Sequence, residues 1–128
     1  METMNAKHYV SLEVAKMLKE KGYNKYGYTE CTWGYDGNSK EWKLVYTADK
    51  RFQGHHLSFV YYAPTLLEAM DWLEERGIGI EITYDTIDNE WFSSATIPSK
   101  RLSSLADCGK DRNECMNAAI KKGLELLS

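Results

Sequence analysis

Apolar positions along this chain follow two periods, one helical and one strand-like, in a mixed order. Residues 11–22, SLEVAKMLKEKG, set Val14, Ala15, Met17 and Leu18 on one stripe behind a Ser11 N-cap, with lysines in the last turn and Gly22 at the end. Residues 65–77, TLLEAMDWLEERG, follow Pro64, match a capping box at Thr65 and Glu68, and place Leu66, Ala69, Met70 and Leu73 on one face. Residues 111–127 stripe Cys115, Met116, Ala119, Ile120, Gly123, Leu124 and Leu127 along one side, with Gly123 small enough to permit close packing. Three helices are expected.

Between them lie strand-like runs. Residues 26–35 (YGYTECTWGY) and 41–47 (EWKLVYT) flank Asp36-Gly37-Asn38, where Gly and Asn tolerate the positive φ of a tight hairpin. A third run covers 56–62. Residues 78–85 alternate Ile80, Ile82 and Tyr84 with Glu81, Thr83 and Asp85, a strand with one wet face, and Asp88-Asn89 turns it into 91–97. Residues 98–110, rich in Ser, Lys, Asp and Gly, read as a connecting loop. The order is α-β-β-β-α-β-β-α, with local hairpins in place of βαβ crossovers. It predicts an α+β fold in one domain over 1–128: an antiparallel sheet of four to five strands, covered on one face by three helices. The first two helices also echo each other in cap, leucine, alanine, glutamate, basic residue and terminal glycine, as a duplicated helix-plus-hairpin unit would. Capping rules alone produce the same likeness.

The segments YVSLEVAKMLKEKGY, APTLLEAMDWLEERGIGIEI and AAIKKGLELL resemble a group of small uncharacterised proteins of gut bacteria, their phages and mobile elements. The resemblance covers most of the chain. That group has no assigned activity or catalytic motif, so the resemblance implies no site residues.

Composition narrows the classes. With 128 residues, 43% of them hydrophobic and two prolines, the chain can bury one core. Residues 1–64 carry nine basic and seven acidic groups, residues 65–128 seven basic and twelve acidic, which opposes a nucleic-acid footprint. No run approaches the roughly 18 apolar residues of a membrane span, and METMNAK has no apolar leader core, so a cytoplasmic location is expected. Cys31, Cys108 and Cys115 form no CxxC or close pair, so reduced thiols packed in the core are expected rather than a disulfide framework or zinc site.

Candidate chemistry is sparse. His55 and His56 are adjacent, so on a strand they face opposite ways and cannot share one ion, and His8 is the only other histidine. No metal is expected. The glycines are scattered outside any phosphate-binding loop, and no GxSxG elbow occurs, so no cofactor is expected either. Glu68, Asp71 and Glu75 share the helix face opposite the apolar stripe, and Glu74 and Glu75 stand in a last turn whose dipole disfavours them. The four Trp and nine Tyr cluster in the strands, with Tyr26 and Tyr28 on one face and Trp33 and Tyr35 on the other. Helices covering one face leave some of these rings for a second molecule. The expected function is therefore a non-enzymatic binding or adaptor module. It would use Tyr26, Tyr28, Trp33 and Tyr35, or the acidic face of Glu68, Asp71 and Glu75, for a protein partner or for a two-fold homodimer. The alternative is a small hydrolytic enzyme with His55 or His56 as general base.

Overall fold

The computed structural model describes residues 6–23, 31–46, 57–106 and 109–127, with the side chains of 57–60 outside that description. It divides the chain into two compact units, Met1–Thr65 and Leu66–Ser128. Among the described residues the fold is α+β, with three α-helices and two antiparallel sheets of three strands each.

The first unit opens with a short 3-10 turn at Ala6–His8 and helix α1 at Leu12–Glu20. Ser11 caps α1 by accepting the Val14 amide at 3.2 Å, and Val14, Ala15 and Leu18 are buried. The helix stops where Gly22 turns left-handed at φ +96°: the Gly22 amide donates to the Lys19 carbonyl and the Tyr23 amide to that of Leu18. This paired closure is what a glycine after a helix permits. Strands β1 (Cys31–Asp36), β2 (Glu41–Tyr46) and β3 (Leu57–Ala63) then pair in the order β2-β1-β3. Trp33 stands opposite Leu44 and Tyr61, and Tyr35 opposite Trp42.

The second unit starts with α2 at Leu66–Glu74, which buries Leu66, Ala69, Trp72 and Leu73. Its end repeats that of α1: Gly77 takes φ +84°, its amide reaches Glu74, and the Ile78 amide reaches Leu73. Strands β4 (Gly79–Asp85), β5 (Glu90–Ile97) and β6 (Leu102–Ala106) form a meander, and α3 (Arg112–Leu126) packs across it. Asp111 caps α3 by accepting the amides of Asn113 and Glu114. A Cβ built on Gly123 would come within 3.0 Å of Leu73 Cδ1 and 3.2 Å of Ile78 Cγ2, so the missing side chain lets α3 approach α2. Ser93 on β5 is buried and donates its Oγ to the Cys115 carbonyl at 3.0 Å.

Four expectations change. Among the described residues the strands form two sheets of three rather than one of four or five, and the order gains a strand, α-β-β-β-α-β-β-β-α. The added strand, β6, falls in the segment read as a loop: LSSLA lacks β-branched and aromatic residues, and only its pairing with β5 makes it a strand. The first sheet is not covered on one face only, because Thr32 and Gly34, opposite the Trp33 face, are buried as well. Finally, Cys115 is disulfide-bonded, while Cys31 is a buried thiol outside any disulfide. Spacing along a chain does not report which thiols folding brings within bonding distance.

Candidate functional site

Each unit carries an aromatic hairpin. In the first, Asp36 and Glu41 close a four-residue turn whose left-handed position is Lys40, at φ 57°, rather than Gly37 or Asn38. The Asp36 carboxylate accepts the Asn38 amide at 2.9 Å and pairs with Lys43 at 3.1 Å. These contacts, the amide first, lower its pKa from 3.8 to about 2. In the second unit, Asp85 and Glu90 close an equivalent turn with Asn89 at φ 55°, and Asp85 accepts the Ile87 amide at 2.8 Å. Both hairpins spell Tyr-Asp, four residues, Glu-Trp: Tyr35 to Trp42 and Tyr84 to Trp91. Each sets its Tyr and Trp as cross-strand partners, with ring centroids 5.5 Å apart in the first and 4.9 Å in the second. Sequence reading missed this repeat; the matched spacing is the signal that reveals it. The third strand lies on opposite sides of the two hairpins, against β1 in one unit and β5 in the other, so the likeness stops at helix end and hairpin.

The two pairs have different surroundings. In the first unit Trp42 also meets Tyr61, at 5.7 Å, and lysines from α1 cover the rings: Lys16 Nζ lies 5.1 Å from the Trp42 centroid and Lys19 Nζ 5.1 Å from that of Tyr61. Such cation–π contacts screen the ring faces. Trp33, on the same face, is held by its indole N–H, which donates to the Val10 carbonyl at 3.0 Å. In the second unit Trp91 borders an open groove of about 300 Å³, lined by Leu67, Met70, Ile80, Ile82, Trp91, Arg112 and Met116. Leu67 is 66% exposed at this groove, and the Arg112 guanidinium stands 5.9 Å from the Trp91 centroid.

The expected site residues separate accordingly. Trp33 and Tyr35 are half-buried on a face that α1 lysines reach; Tyr26, Tyr28, His55 and His56 lie outside the described residues. Asp71 and Glu75 are exposed and Glu68 is half-buried. The acidic helix end is balanced: Arg76 lies 3.8 Å from Glu75, donates to the Trp72 carbonyl at 3.0 Å, and stacks 3.6 Å from the Trp72 ring. A cation bonded to a last-turn carbonyl offsets the dipole's disfavour for Glu74 and Glu75. Among the described residues, no three His, Cys, Asp or Glu side chains converge as a metal site, and no helix is long and apolar enough to cross a membrane. Compared with protein-family models, curated proteins and solved structures, the chain finds no significant match.

Proposed function

We propose that this chain is a non-enzymatic binding module whose second unit receives apolar side chains of a partner protein in the groove beside Trp91. The observation that carries this reading is Leu67, 66% exposed where apolar side chains of α2, α3, β4 and β5 already form a hollow. Water against such a surface is displaced favourably, at roughly 25 cal/mol for each Å² covered. Met70 and Met116 add flexible thioethers that adapt to different occupants. The groove is preferred to the Trp33 and Tyr35 face, where lysines cover the neighbouring Trp42 and Tyr61 rings and the Trp33 indole is bonded to the Val10 carbonyl, as the surface offered to a partner.

Methyl-detected NMR titration with 4-phenylbutan-1-ol, an uncharged apolar probe, tests this. Shifts confined to Leu67, Met70, Ile80, Ile82 and Met116, and weakened by Leu67→Asp, are expected. Shifts scattered over the surface, or none at millimolar probe, would exclude the groove.

A second reading, self-association, rests on β6. Its residues Leu102–Ala106 carry no charge, whereas the other edge strand of that sheet, β4, carries Glu81 and Asp85. Edge strands commonly hold charges that deter pairing. Leu105 is 80% exposed and Leu102 48%. Antiparallel two-fold pairing centred on Ser104 would set Leu105 of one copy beside Ser103 of the other and join two sheets of three strands into one.

A further inference from the structure

We infer that the groove selects an acidic residue next to the apolar side chains of its partner, and that Arg112 is the group that recognises it. This rests on the groove reading above and adds to it the chemistry of the occupant. Arg112 is the first residue of α3, where the positive end of the helix dipole disfavours a cation. The N-cap carboxylate of Asp111 is turned to the amides of Asn113 and Glu114. Among the described residues Arg112 makes no ion pair, and its contact is the face of Trp91. A planar guanidinium held beside an indole ring keeps its N–H fork available for a carboxylate, which it can grip through two parallel hydrogen bonds.

The rest of the lining is apolar: Leu67, Met70, Ile80, Ile82, Trp91 and Met116 offer no second charge. A carboxylate bound there would meet one cation beside a surface that excludes water, where charge-assisted bonds are strongest. The occupant is therefore a protein segment carrying leucine- or phenylalanine-like side chains around an aspartate or glutamate. With twelve acidic against seven basic residues in 65–128, an acidic segment is disfavoured over much of that half and favoured beside a cation.

The test uses the full chain and two capped peptides, acetyl-Leu-Phe-Asp-Leu-amide and its Asn counterpart, followed by NMR at the Met70 and Met116 methyls and the Trp91 indole. The Asp peptide is expected to bind about tenfold more tightly, a difference typical of one charge-assisted bond. In Arg112→Gln this preference should vanish while the Asn peptide keeps its affinity; Arg112→Lys should retain part of it. Equal affinities in the parent chain, or a preference that survives Arg112→Gln, overturn the role of Arg112 and leave the groove standing. Absence of shifts with both peptides overturns the groove as well.

Discussion

Asp36 shows how one residue organises a turn. Its carboxylate accepts an amide within the turn and pairs with Lys43 on the returning strand, so the charged form is favoured and the pKa falls to about 2. A depressed carboxylate contributes stability that is fully present above its unfolded value near 3.8 and is lost as pH falls through about 2. The amides of Asn38 and Lys43 should therefore keep their native NMR shifts at pH 3 and move between there and pH 2. In Lys43→Met the Asp36 titration should rise yet stay below 3.8, because the Asn38 amide, the larger cause, remains. A titration at 3.8 in the parent would show the turn to be unformed. The turn itself was legible from Asp36-Gly37-Asn38, but its left-handed residue was not. Lys40 adopts φ 57° because strand register, fixed by Tyr35 opposite Trp42, leaves four residues to span the gap.

Among the elements, α2 followed its apolar period closely, with two exceptions that matter. Trp72 is buried at 1% exposure although the stripe of Leu66, Ala69, Met70 and Leu73 passes it by, and Met70 is half-buried at the groove. A large ring can reach core from the margin of a stripe, and Arg76 stacked on its face seals it. Leu73, fully buried and packed near Gly123, should lose about 2–5 kcal/mol on truncation to Ala. Exposed Glu75 should lose less than about 0.5 kcal/mol, since its ion pair with Arg76 is a surface one. Equal shifts of the two denaturant midpoints would contradict the packing of this helix.

Across the whole molecule, two units of similar beginnings end differently. Both carry a helix closed by a left-handed glycine and, later in the chain, a Tyr-Asp, Glu-Trp hairpin, yet the third strand joins β1 in one and β5 in the other. In the second unit this leaves β6 as an uncharged edge. If two copies pair there, light scattering after size exclusion should give twice the chain mass at high micromolar concentration, and Leu105→Lys should return the monomer mass without lowering the melting temperature. A dimer indifferent to Leu105→Lys would locate the interface elsewhere. Cys115 adds a redox test. Alkylation of the folded, unreduced protein should leave it unmodified, and a fully alkylated Cys115 would exclude the disulfide.

By itself the sequence determined what depends on neighbours along the chain. Helix period and caps, the glycines that end α1 and α2, the alternation of Ile80, Ile82 and Tyr84, and both hairpin turns are set by local sterics and patterning. The tertiary structure decided what depends on distant segments. LSSLA became a strand because β5 offered a ladder, the strands split into two sheets because β3 returned to β1, and Ser93 became a buried donor because α3 crossed β5. The groove has the same origin. Leu67, Ile82, Trp91 and Arg112 come from four separate elements, and no spacing along the chain encodes a hollow that exists only once those elements have packed.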